Sequence, residues 1–183
     1  MKGQARGPGE APRITVSNRQ RAVSLRLDAL QRFASRALTK CLEVKQRRGG
    51  VLRAIPKIAV TLVSDRRMAT LHRKFLGLSG PTDVITFQHG EIAISADTAC
   101  RNAQEFGTSS EREVQLYIVH GLLHLHGFDD TNAATARVMK CTQNRIVKAA
   151  VADLEDCRSG PCGAVNLHSA KKRSKPTANR MSG

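Results

Sequence analysis

From Val114 to Phe128 the chain carries no Asp, Glu, Lys or Arg, yet three histidines fall in that stretch, in the run HGLLHLHGF (120–128). Leu116, Ile118, Val119, Leu122, Leu123 and Leu125 surround a helical wheel on nearly every side, so a helix here has to be an interior one. It is too short to cross a bilayer, which takes about 20 apolar residues. His120 and His124 stand four apart and project side by side. Two neutral imidazoles in an apolar setting need polar partners, and a metal ion supplies one. Their spacing suits two corners of a tetrahedral zinc site. Gly127 breaks the helix and lets the chain turn back. Asp130 then comes within reach as a third ligand and leaves one corner open, as in catalytic zinc sites. Gly121 follows His120, so the Glu that serves as general base in H-E-x-x-H peptidases is missing. His126 is two residues from His124 and points away from the pair, as a supporting or surface group. A closed structural zinc would need a fourth ligand, from His126 or a Cys. Asp129 either orients a ligand or serves the turn.

The flanking sequence reads as strands and helices. Ile58, Val60 and Leu62 alternate within a predicted strand over 56–64, and Arg13–Val16 is a shorter one. TDVITFQ (82–88) and EIAIS (91–95), joined by the turn His89–Gly90, predict a hairpin; Asp83 there either caps its strand or meets substrate. Residues 20–47 have helical spacing. Val23, Leu27, Leu30, Ala34, Ala37, Leu38 and Cys41 form a core face, Arg32, Arg36 and Lys40 a basic face opposite, and RRGG (47–50) ends the helix. Further helices are predicted from Asp65 to about Leu76, from Asp97 to Gly107, from Glu111 to His126 behind a Ser110–Glu113 capping box, and from Thr131 to Leu154. His72 and His89 read as surface residues. Gly and Pro make residues 1–12 a disordered lead, and residues 155–183 read as a basic flexible tail.

The net charge of +15 is local: +2 over residues 1–13, +8 over 14–53, zero over 54–167 and +5 over 168–183. A surplus confined in this way is the footprint of a nucleic-acid partner, with Arg32, Arg36 and Lys40 as candidate RNA-binding residues. With no Trp, one Tyr and five Phe, few rings are spare for stacking on bases. The grip is therefore expected to be mostly on phosphates and steeply salt-dependent. No apolar run reaches membrane-spanning length and the start, MKGQARGPGEAPR, has no apolar signal core. The expectation is a cytoplasmic protein, not bound to membranes, with its five Cys reduced.

Three segments together carry a resemblance. HGLLHLHGFDD (120–130) is similar to the H-G-x-L-H-L-x-G-Y-D-H signature of the YbeY family of bacterial endoribonucleases and rRNA maturation factors. PTDVITF (81–87) resembles its T-D-V-L-S-F strand, and GEIAIS (90–95) its G-D-I-x-I-S strand. Order and spacing fit as well, so the similarity covers about residues 13–154. It implies an α+β fold: a small mixed β-sheet packed with helices around a central buried metal-binding helix. It also implies one zinc per chain, no small-molecule cofactor, and single-stranded RNA as substrate, with the small ribosomal subunit as partner and processing of the 3′ end of its rRNA as the role.

The departures from that pattern are specific. The family's third His is Asp130 here, and a carboxylate is a competent zinc ligand. His126 replaces an apolar residue and Phe128 a Tyr. Leu76 stands where the family often carries an Arg, and Arg73 or Lys74 are candidates for the catalytic cation. The expected activity is metal-assisted cleavage of an RNA phosphodiester, by water or by the substrate's own 2′-hydroxyl. The alternatives are a non-catalytic rRNA-binding assembly factor with a structural metal and, against the evidence of Gly121, a metalloprotease.

Overall fold

Residues 11–159 are described by the structure, a computed structural model. Alternation settles the first two strands. β1 (Arg13–Asn18) and β2 (Lys57–Val63) bury Ile14, Val16, Ile58, Val60 and Leu62 on one side and leave Thr15, Ser17, Ala59 and Thr61 less covered on the other. They pair in parallel, from Arg13↔Lys57 to Asn18↔Leu62. Parallel neighbours need a crossover. α1 (Leu27–Glu43) provides it, burying Leu30, Phe33, Ala34, Ala37, Leu38 and Cys41. α2 (Asp65–Leu76) follows, then the hairpin of β3 (Val84–Thr86) and β4 (Glu91–Ser95), paired antiparallel. β4 also lies parallel to β2, so the four strands run in the order β1-β2-β4-β3 with β3 at one edge.

α3 (Ala96–Phe106), α4 (Ser110–Leu125) and α5 (Ala133–Ser159) complete the chain. α1, α4 and α5 pack with the apolar side of the sheet in one core, and α4 is central to it: Ile118, Val119, Leu122, Leu123 and Leu125 are fully buried. α2 covers part of the other side, packing its Met68 against Val63, Ile85 and Ala93. The implied fold, a small mixed sheet with a buried central helix, is the one observed. Among the described residues no helix is long and apolar enough to cross a membrane.

Several boundaries differ, each for a local reason. α1 starts at Leu27 because Gln20 folds its amide onto Val23, accepting from the Val23 N–H and donating to the Val23 carbonyl, which closes a loop where helix was expected. It ends at Glu43, well before RRGG. The N-caps are Ser64, Ser95 and Ser109, one residue ahead of Asp65, Ala96 and Ser110, each accepting a backbone N–H two or three residues into the first turn. α5 runs on to Ser159, so the expected boundary after Leu154 falls inside a helix. Residues 1–10 of the expected lead and 160–183 of the expected tail lie outside the described residues.

Candidate metal centre

α4 lies close on the hairpin because position 121 has no side chain. A Cβ on Gly121 would sit 2.9 Å from Ile92 Cγ2 and 3.0 Å from Thr86 Oγ1. The Glu of an H-E-x-x-H site has no room there. One turn apart on this helix, His120 and His124 face a cleft, half-buried at 24% and 29% side-chain exposure. Their rings meet edge to face at 4.5 Å.

The outer nitrogens are committed elsewhere. His124 Nδ1 lies 3.2 Å from the Phe128 carbonyl, and His120 Nδ1 3.3 Å from Gln143 Oε1 on α5. Both partners accept, so both Nδ1 atoms carry the proton and both Nε2 atoms keep their lone pairs. Those Nε2 atoms lie 2.9 Å apart. At that distance a single ion could take both lone pairs. Asp130 closes the third side, with Oδ2 3.7 Å from His120 Nε2 and Oδ1 3.8 Å from His124 Nε2. The three ligand atoms all fall within 4.8 Å of one another. Burial, then the neighbouring His124, lower the His120 pKa against weaker raising influences from Gln143, Asp130 and Asp83, which favours the neutral ring that a metal needs. Two imidazole nitrogens and a carboxylate oxygen are a donor set that fits zinc.

The turn after the helix is built by Gly127. Its φ is +87°, and a Cβ would lie 2.8 Å from both the Arg47 carbonyl oxygen and the Gly50 nitrogen. Residues 44–52 dock on this helix end: Arg47 N–H donates to the His126 carbonyl, and the Val51 and Leu52 N–H groups to that of Leu125. RRGG is thus a turn seated against α4, and it delivers Arg48 to the cleft. The cleft, of about 410 Å³, is lined by Arg48, Leu76, Thr86, Gln88, His120 and His124 among others. Thr86 Oγ1 is buried with no hydrogen-bond partner.

Other expected residues are placed as follows. Leu76 does line the cleft, whereas Lys74 lines a different groove with its ammonium 5.3 Å from the Phe75 ring centre; Arg73 is exposed and lines neither. On α1, Arg32 is paired with Asp28 at 3.0 Å, Lys40 with Asp153 at 3.1 Å, and Arg36 shares a shallow depression with Arg32. Asp129 serves the turn: its carboxylate accepts from the Thr131 hydroxyl and N–H, which hold it below the usual carboxylate range. Asp83 accepts from Thr82 Oγ1 and the Val84 N–H. His72 is partly exposed, with Nδ1 2.9 Å from the Gly80 carbonyl. His126 departs from the surface alternative. It is fully buried under residues 44–52, with Nε2 donating to the Val44 carbonyl at 2.9 Å, and burial pushes its pKa down. Arg48, Gln143 and Thr86 were not singled out by sequence. Gln143 had a readable signal, because it interrupts the buried face formed by Met139, Ile146, Val147 and Ala150 on α5.

Comparisons with known proteins show the family of the chain. The family model described as Endoribonuclease YbeY matches residues 15–151. A protein of Frankia alni named Endoribonuclease YbeY is 30% identical over 143 residues, 67% of this chain and 72% of its own length. One of the same name from Symbiobacterium thermophilum is 32% identical over 151 residues, 71% of this chain and 92% of its own. The solution structure of TM1509 from Thermotoga maritima superposes with a TM-score of 0.55 at 22% identity, covering 85% of this chain and 99% of that one, a likeness of fold.

Proposed function

This chain belongs to the endoribonuclease YbeY family, and from that premise we propose that it cleaves single-stranded RNA in a cleft whose metal is held by His120, His124 and Asp130. The observation that carries the reading is the convergence of those three ligand atoms beside Arg48 and Thr86. Zinc, one ion per chain, is the metal we assign, on the chemistry of the donor set. When bound, such an ion supplies Lewis acidity toward a phosphoryl oxygen. The chain's own groups do the rest. Gln143 and the Phe128 carbonyl hold the two imidazoles in one tautomer and orientation. The Arg48 guanidinium offers paired N–H donors to a phosphate entering the cleft. Arg48 is preferred to Arg73 and Lys74 as the cleft's cation because it lines the cleft and they do not. The basic face of α1, Arg32, Arg36 and Lys40, is a further contact for phosphates.

The finer assignment is the 3′ end of small-subunit rRNA, processed on the small ribosomal subunit in the cytoplasm. Its support is the family pattern and the local basic surplus. A non-catalytic rRNA-binding role would draw on Leu76, apolar at the cleft wall, but Arg48 stands in the same cleft. A peptidase is disfavoured by the packing of Gly121.

The test is cleavage of single-stranded and duplex RNA by zinc-replete protein beside His124→Ala. The wild type cuts the single strand and spares the duplex, and the variant is at least about a hundredfold slower. Equal rates would attribute the activity to a contaminant and end the proposal. A 2′,3′-cyclic phosphate on the products marks attack by the 2′-hydroxyl, and a linear phosphate marks attack by water. Cells lacking the protein are expected to accumulate small-subunit rRNA extended at its 3′ end.

A further inference from the structure

Across the edge strand from the metal cleft lies a second groove, of about 820 Å³, over the half-open side of the sheet. Three rings run through it. Phe87 packs edge to face with Phe75 at 5.0 Å and stacks with His89 at 5.5 Å and 29°. Phe75 is 52% exposed, and the His89 side chain 66%. A large apolar ring left half in water at the end of a helix contributes little to the core, and two neighbours extend it into a ladder. Arg19, Arg67 and Lys74 line the same groove, all exposed. Glu91 is the one acid among its lining residues, and it lies 3.5 Å from His89. Rings flanked by cations match the two faces of a single-stranded nucleic acid, its bases and its phosphates.

The groove and the cleft share no lining residue, but they lie on the two sides of the same hairpin edge. Along the hairpin, Thr86 and Gln88 line the metal cleft while Phe87 lines the groove; at the end of α2, Leu76 lines the cleft and Phe75 the groove. The two sites are one strand's width apart. We propose that the groove of Phe75, Phe87, His89, Arg67 and Lys74 is a stacking subsite for the same RNA strand. Nucleotides flanking the scissile phosphate pass over the β3 edge and stack on the exposed rings. This rests on the reading of the cleft as a single-stranded RNA site. It also refines the expectation drawn from composition: of the few Phe side chains, Phe75 is left half in water here and Phe87, packed partly on the core, links it to the His89 ring.

The test uses the full-length, zinc-replete protein and a 12-nucleotide single-stranded RNA carrying 2-aminopurine at successive positions. Fluorescence and cleavage of the same strand are followed under single-turnover conditions. Stacking on a ring quenches the probe. The wild type is expected to quench it at positions a few nucleotides from the cut. Phe75→Leu, which keeps apolar packing on Phe87 but removes the π-face, loses that quenching and about tenfold in affinity. Arg67→Ala, an exposed change, lowers the slope of log affinity against log salt by about 0.7. Quenching that survives Phe75→Leu, or cleavage with no quenching anywhere, overturns the subsite and leaves the endoribonuclease reading intact. Quenching that Phe75→Leu abolishes, with no cleavage by the wild type, upholds the subsite and counts against that reading.

Discussion

Gln143 touches neither RNA nor the ligand position, yet its amide oxygen fixes the proton of His120 on Nδ1 and so turns the Nε2 lone pair into the cleft. Gln143→Leu, similar in size and unable to accept, is expected to weaken zinc binding about 10–100-fold in a chelator competition while the protein stays folded. Unchanged affinity would mean that the ring is oriented by packing alone. At Gly121 the constraint is steric. Gly121→Ala forces a methyl against Ile92 and is expected to cost about 1–3 kcal/mol in urea denaturation. The His120–His124–Asp130 set was legible because it depends on helical spacing and one glycine turn, both local. The burial of His126 was not. It is produced by residues 44–52, which lie about eighty positions earlier in the chain.

Elements are joined here by side chains that no periodicity reveals. Asp65, in the first turn of α2, accepts from Ser95, Thr98 and Arg101 at the start of α3. Burial alone would raise its carboxyl, but those hydrogen bonds and the Arg101 charge outweigh it and hold the pKa below the ordinary value of 3.8. Its ionised form is therefore favoured by folding. The stabilisation is complete above about pH 4 and is lost as pH falls through the lower folded value. Asp65→Asn should be less stable than wild type at neutral pH by about 1–2 kcal/mol and should show a flatter fall in stability below pH 4, read by denaturant midpoints. A parallel fall in both proteins would remove Asp65 from the account. Strand alternation and helical spacing made most elements readable, although the capping serines stand one residue ahead of the expected Asp65 and Ser110 and two ahead of Asp97. The start of α1 was misread because helical spacing continues back through Val23, where the Gln20 side chain has already closed a loop.

Over the whole molecule, the surplus of charge pointed to nucleic acid without saying where the nucleic acid lies. Basic residues counted along α1 prove partly engaged, Arg32 with Asp28 and Lys40 with Asp153 and Glu43. The cation that reaches the cleft comes instead from the RRGG turn, and its position depends on long-range docking against α4. Arg48→Ala is accordingly expected to lower the salt slope of RNA affinity by about 0.7, where Lys40→Ala lowers it less. The reverse ranking would move the binding face to α1.

The most direct measurement is the zinc content of purified wild type, Asp130→Ala and Asp129→Ala, taken with the rate of single-stranded RNA cleavage on the same samples. The account predicts one zinc per chain and full activity in wild type and in Asp129→Ala, with both falling together in Asp130→Ala. Zinc and activity retained in Asp130→Ala, or lost equally in Asp129→Ala, would contradict it.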